Sequence, residues 1–189
     1  MPQAKTLTPR EQQQVLDYIA LNAFAKRNRM MFLLGLYSGM RVGEIASLKV
    51  SDVVNIDGTI KAEIRLKPEQ TKGKHARTVF VSNKLQQELE GFVKSLHQPL
   101  NMQHPLFITA GRRAFSANVM TQHFYWLFQR AGLSGASSHS MRRTFITQLA
   151  SRGIGVRVLA SLAGHRSIAV TQRYIDVNDD MMRRAVELA

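Results

Sequence analysis

Ser38-Gly39-Met40-Arg41-Val42-Gly43-Glu44 joins two helical patterns. Before it, Lys26 to Ser38 is nearly all apolar in its middle, the pattern of a buried helix. Gly39 suits the left-handed conformation that ends such a helix. A short helix is predicted from Val42 to Leu48. Arg41 therefore stands where one helix stops and the next starts, with Glu44 one turn along on the same face. Read alone, this pair is either a carboxylate that orients a guanidinium or a solvated surface ion pair of little value.

Working outward, Thr8-Pro9-Arg10-Glu11 carries a capping box with proline at the first helical position. Val15, Tyr18, Ile19 and Ala23 continue at helical spacing. After Leu48 the period changes. Val53–Ile56, Asp57-Gly58 and Ile60–Leu66 read as a hairpin with a type I′ turn. A third strand is predicted at Thr78–Val81, and Pro105-Leu106-Phe107 as a brief extended piece. Helices are predicted at Asn83–Leu96, Ala117–Ala131, His139–Arg152, Val156–Ala163, Ile168–Tyr174 and Asp179–Leu188, punctuated by Gly132, Gly153 and Gly164. The expected fold is mainly α with a small antiparallel β-sheet, in a single domain over residues 1–189.

The chain has 189 residues, enough for one ordinary domain with no disulfide or metal staple. Cysteine is absent, which excludes a disulfide framework, a thiol nucleophile, a Cys-ligated zinc and an iron–sulfur cluster. Lys and Arg number 26 against 13 Asp and Glu, a formal charge of +13. That surplus repels itself unless the domain works beside a polyanion, nucleic acid first and anionic membrane second. The longest uncharged apolar stretch, Met30 to Tyr37, is well short of the roughly 20 residues a membrane span needs. No secretory leader pattern follows Met1. The expectation is a cytoplasmic, nucleoid-associated protein without a membrane. The histidines lack metal-ligand spacing, and Walker, dinucleotide-binding and Gly-x-Ser-x-Gly motifs are missing. No metal and no cofactor are expected.

Three further places carry basic or nucleophilic residues. Thr71-Lys72-Gly73-Lys74-His75-Ala76-Arg77 is a basic loop between predicted strands, equally a groove-reaching loop or a solvated tip. His139-Ser140-Met141-Arg142-Arg143 puts His139 and Arg142 on one face at a helix start, where backbone N–H groups and a guanidinium fork favour an anion. Gly164-His165 follows a helix stop, and Tyr174 comes nine residues later. Each is weak alone. A lone His is more often structural, and a lone Tyr more often packing.

Taken in order, the pieces resemble the catalytic domain of the tyrosine recombinases, the phage-integrase family. Ser38-Gly-Met-Arg41-Val-Gly-Glu44-Ile-Ala-Ser-Leu resembles its first arginine box, and Thr71-Lys72-Gly-Lys-His-Ala-Arg77 its β-hairpin lysine. His139-Ser-Met-Arg142-Arg-Thr-Phe resembles its His-x-Leu-Arg box, with Met141 in place of Leu. Leu162-Ala-Gly-His165-Arg-Ser-Ile, followed by Tyr174, resembles its last histidine and nucleophile segment. The likeness runs from about Leu7 to Asp176, where Asp176 replaces a frequent His.

The resemblance implies a site-specific DNA recombinase or integrase that works through a covalent 3′-phosphotyrosyl intermediate. Tyr174 would be the nucleophile and Arg41 and Arg142 the phosphate clamps. His139 and His165 would act at the phosphate, and Lys72 would be the general acid, with Lys74 as its competitor. Glu44 would support the pocket. Lys74, Arg77, Arg143, Arg166 and Arg173 are expected on the DNA backbone. The partner would be double-stranded DNA, bound as a homotetramer on paired sites by a chain that is a monomer or weak oligomer when free. Asp179–Ala189 would form a helix that docks on a neighbouring protomer or packs on its own core. The family's N-terminal DNA-clamping domain is expected to be missing, as in a relative that lacks it or a piece of a longer protein. Rival readings are a type IB topoisomerase or telomere resolvase, a catalytically silent DNA-binding relative, and a basic helical regulator with His139–Arg152 as recognition helix.

Overall fold

The computed structural model describes residues 4–96, 99–175 and 179–187. Helix α1, Pro9–Ala20, starts on the expected capping box: the Glu11 N–H donates to the Thr8 hydroxyl at 3.2 Å and the Thr8 N–H donates back to the Glu11 carboxylate at 2.9 Å. Helix α2, Ala25–Ser38, is buried on nearly every side, as its unbroken apolar middle requires, and Gly39 ends it at φ +63°. Helix α3, Val42–Ala46, begins with the Arg41 N–H donating to Glu44 Oε2 at 2.7 Å.

The region after Leu48 departs from expectation. Val50–Val53 is a short helix, α4, so Val53, expected to open a strand, instead ends a helix. The predicted first strand reduces to one bridge, Val54 to Ile60. The turn between them is not type I′. Gly58 alone has positive φ (+86°), while Asp57 lies outside the left-handed region and its carboxylate accepts from the Thr59 N–H at 2.9 Å. Pro105 likewise makes only a single bridge, to Lys49. The sheet, among the described residues, is β1 (Glu63–Leu66) paired antiparallel with β2 (Arg77–Phe80), Leu66 opposite Arg77. A single 3-10 turn, Pro68–Gln70, lies between them.

Helices α5 (Asn83–Lys94), α6 (Ala117–Arg130), α7 (Ser140–Ser151), α8 (Val156–Ala163), α9 (Ile168–Gln172) and α10 (Asp179–Val186) follow. They match the predicted helices with ends trimmed by up to two residues. Asp176 and the predicted last residues Leu188 and Ala189 lie outside the described residues. The fold is thus mostly helical with a small antiparallel sheet. Among the described residues no helix is long and apolar enough to cross a membrane.

Central α2 packs on α1, α5 and α7. Its closest approach to α7 is at Gly35, where an added Cβ would sit 2.8 Å from Met141 Sδ. That proximity brings Arg142, the next residue on α7, to the C-terminal end of α2. Four residues beyond Gly35, Gly39 meets Phe145 of the same helix: an added Cβ would lie 2.5 Å from its ring. Gly39→Ala therefore combines a left-handed alanine with an overpacked contact. Urea unfolding at pH 7 is expected to show a loss of about 2–4 kcal/mol.

Candidate active site

Helix ends leave carbonyl groups without intrahelical partners, and their negative dipole end attracts cations. Two such ends meet here. Arg142, its side chain buried, donates through Nη1 to the Gly39 carbonyl at the end of α2 (2.7 Å) and through Nη2 to the Ala163 carbonyl at the end of α8. Arg41 donates through Nη2 to the Gly164 carbonyl at 3.3 Å, and Arg77 through Nη1 to the Leu162 carbonyl at 2.9 Å. Gly164 takes φ +61° and has no side chain to obstruct Arg77, whose Cδ would lie 2.5 Å from an added Cβ.

Glu44 ties two of these arginines together. Its side chain is 1% exposed, with Oε1 3.0 Å from Arg41 Nη1 and Oε2 2.7 Å from Arg77 Nη2. Burial alone would raise this carboxyl. The hydrogen bond and charge of Arg77, then the Arg41 N–H and charge, outweigh burial and hold it below the usual carboxylate range. Burial, then the charge of Arg41, pushes the Arg142 guanidinium down to about 9, still protonated at pH 7. Among the described residues this cluster of three guanidinium groups holds one carboxylate, paired with two of them, and so keeps an uncompensated positive charge.

Two clefts open onto Arg41. One, about 500 Å³, is bordered by Arg41, Lys72, His139 and Arg142. The other, about 630 Å³, is bordered by Arg41, Lys72, His165 and Arg166. Lys72 faces both. Lys74 borders neither and sits exposed on the same loop at φ +50°. Thr71 roots that loop: its hydroxyl lies 2.8 Å from the His75 carbonyl and accepts from the His75 N–H at 3.1 Å.

His139 stands at the start of α7 with its ring partly covered at the border of the first cleft. Burial of its ring, then Arg142, Lys72 and Arg41, lowers its pKa from the ordinary value. His165, directly after the α8 stop, has Nδ1 2.8 Å from the buried Thr171 hydroxyl on α9. Burial, followed by Arg142, Arg41 and Arg77, takes it down to about 4, so its imidazole is neutral at pH 7. The His165 ring stacks on Tyr174, centroids 5.6 Å apart and planes 22° from parallel. The structure therefore brings Arg41, Lys72, His139, Arg142 and His165 to one pair of clefts, with Tyr174 stacked on His165.

The phage integrase family model matches this chain over residues 5–181. The chain belongs to the phage integrase family. It is 28% identical over 188 residues to the tyrosine recombinase XerA of Thermococcus kodakarensis, covering 98% of this chain and 62% of XerA. Against the probable integrase/recombinase YoeC of Bacillus subtilis it is 27% identical over 167 residues, covering 86% of this chain and 84% of YoeC. The crystal structure of XerA recombinase superposes with a TM-score of 0.75 at 24% identity, over all of this chain and 66% of that one. The catalytic domain of bacteriophage HP1 integrase superposes at 0.65 and 23% identity, over 91% of this chain and 87% of that one. This chain thus spans about three-fifths of the length of the XerA relatives it matches.

Within this integrase-family fold, Arg77 differs from its expected place on the DNA backbone. Its side chain is 9% exposed and its guanidinium is committed to Glu44 and the Leu162 carbonyl. The ion pair turns Arg77 inward, making it part of the wall behind Arg41. Arg143 is also drawn away from solvent: its guanidinium carbon lies 5.4 Å from the Tyr174 ring centroid and its Nε donates to the Thr6 hydroxyl at 3.2 Å. Arg166 and Arg173 are exposed. Thr71 and Thr171, which orient the lysine loop and His165, were not singled out from the sequence. A buried threonine makes no mark on hydrophobic periodicity, so no local signal pointed to either.

Glu44→Gln removes the carboxylate that two guanidinium groups share. The variant is expected to lose about 3 kcal/mol in urea unfolding at pH 7. Because Glu44 titrates lower in the fold than unfolded, its contribution is complete above the unfolded value near 4.3 and drains away as pH falls through the lower, folded value. The gap between variant and wild type therefore narrows over that acid window.

Proposed function

We propose that this integrase-family chain cuts and rejoins double-stranded DNA through a covalent phosphotyrosine, as the catalytic part of a site-specific recombinase. The observation that carries the reading is a positively charged cluster of fixed guanidinium groups with, among the described residues, one carboxylate between them, beside a tyrosine. Such a cluster is suited to an anion, and a phosphodiester gains negative charge as it is attacked.

In this reading Arg41 and Arg142 clamp the non-bridging oxygens of the scissile phosphate. Arginine stays charged and presents a fixed fork. Tyr174 Oη attacks phosphorus and its O–P bond forms while the bond to the 5′ oxygen breaks. The phenol proton passes to His139, whose lowered pKa leaves the ring neutral and able to accept it. Lys72 gives a proton to the departing 5′ oxygen. His165, oriented by Thr171, hydrogen-bonds a phosphate oxygen. Attack by a second strand's 5′-hydroxyl reverses these transfers and restores the phenol. One ester replaces another, so no nucleotide cofactor is consumed. Reaching phenolate from a phenol of pKa near 10 at pH 7 costs about 4 kcal/mol, which is what the cation cluster must offset.

Exposed Lys74, Arg166 and Arg173 are assigned to the DNA backbone. The substrate is paired DNA sites held in a homotetramer, with α10 docking on a neighbouring protomer. Supporting this, Met182 and Val186 of α10 are 53% and 73% exposed and leave an apolar stripe uncovered. Velocity sedimentation with DNA should show assembly by the full chain, and none by a chain ending at Val177. Equal assembly by both would remove the docking role.

A nicked suicide duplex taken from the DNA flanking the gene is expected to give an SDS-stable protein–DNA adduct. Tyr174→Phe should give none while still shifting the same duplex in a gel. An adduct of equal yield from Tyr174→Phe would overturn the assignment of the nucleophile.

A further inference from the structure

The proposed reaction leaves Arg143 without a task, although its side chain rests on the reacting residue. We propose that Arg143 is a positioning residue that seats the Tyr174 ring and favours the phenolate-like charge that develops during attack. The inference rests on Tyr174 being the nucleophile, and deepens that reading.

Three contacts carry it. The Arg143 guanidinium carbon is 5.4 Å from the Tyr174 ring centroid. Thr147, one turn further along α7, lies with its hydroxyl 3.2 Å from the Tyr174 carbonyl oxygen, to which it donates. Residues i and i+4 of one helix face therefore hold Tyr174 at ring and backbone together. Arg143 is itself aimed, because its Nε–H donates to the Thr6 hydroxyl at 3.2 Å. Thr6 is fixed in turn: the next residue, Leu7, is buried, and its N–H donates to the Thr144 hydroxyl at 2.8 Å. The segment preceding α1 thereby sets the direction of a cation on the nucleophile.

A cation over an aromatic ring is attracted by the ring's electrons, and the attraction grows as the phenol gives up its proton and charge spreads into the ring. An interaction stronger in the transition state than in the ground state raises the rate and leaves DNA affinity alone. Among the described residues, Arg142, whose guanidinium senses the Tyr174 charge, and the stacked His165 also face Tyr174. Both remain in an Arg143 variant, so a comparison with wild type isolates Arg143.

The test uses the full chain with Arg143→Gln, Arg143→Lys and Thr6→Val. On the suicide duplex at saturating protein, Arg143→Gln should slow single-turnover adduct formation about tenfold and move the rate–pH profile to higher pH. Arg143→Lys should recover part of the rate, and Thr6→Val should show a smaller loss in the same direction. Gel-shift affinity, measured with Tyr174→Phe in each background, should not change. In DNA-free protein labelled with 13Cζ-tyrosine, the resonance missing from Tyr174→Phe should titrate at higher pH in Arg143→Gln than in wild type. That readout needs no cleavage, so it decides the role of Arg143 even if the chain cuts no DNA. An unchanged Tyr174 titration overturns the proposal. An affinity loss matching the rate loss also overturns it and makes Arg143 a DNA contact.

Discussion

Glu44 holds together two positive groups that would otherwise repel, and the rest of the site is arranged around that constraint. Its carboxylate takes Arg41 from the start of α3 and Arg77 from β2, while its own helix begins on the Arg41 backbone. One side chain thus fixes a helix start, a strand end and the wall of both clefts. The three arginines reach past it to carbonyls at the ends of α2 and α8, which need donors in any case. The guanidinium groups satisfy the termini of two helices and in doing so converge. The positive pocket is a by-product of finishing the helices, and needs no separate scaffold.

Burying Arg142 costs desolvation, and the fall of its pKa to about 9 records that cost. The same desolvation strengthens its pull on any anion that reaches it, because less water screens the charge. The helix ends make the arrangement tolerable in the absence of a ligand. Carbonyl dipoles partly neutralise Arg142 without offering it a full negative charge to settle on.

The parts legible in the sequence are those whose geometry is local. The Thr8–Glu11 box, the Gly39 stop, the Arg41–Glu44 spacing and the Gly164 stop each depend on residues within one turn, and the structure has each of them. The expected strand Val53–Ile56 fails because a short apolar pair such as Val53-Val54 fits a strand and a buried helical turn alike. There the Lys49 N–H donates to the Asp52 carboxylate at 2.9 Å and starts a helix. Arg77 was misplaced for a different reason. Its partner, Glu44, is 33 residues away. A basic residue beside a basic loop looks solvated until the fold brings a buried carboxylate to it. Lys72 and Lys74 could be told apart only by loop path, since Thr71 and the positive φ at Lys74 decide which one faces the clefts.

In the proposed reaction, the contrast between Lys72 and the arginines follows from what each would have to do. A clamp works best preorganised, so its donors are locked to carbonyls and a carboxylate before any DNA arrives. A general acid must deliver a proton to an oxygen that is present only while a strand is bound and departing. Lysine on an exposed loop meets that need, with a flexible four-carbon stem and a compact charge. Thr71 keeps the root of the loop at the cleft edge while its tip stays open. The division of labour is thus written into burial: Arg142 at 4% exposure, Arg41 partly covered, and Lys72 out in solvent.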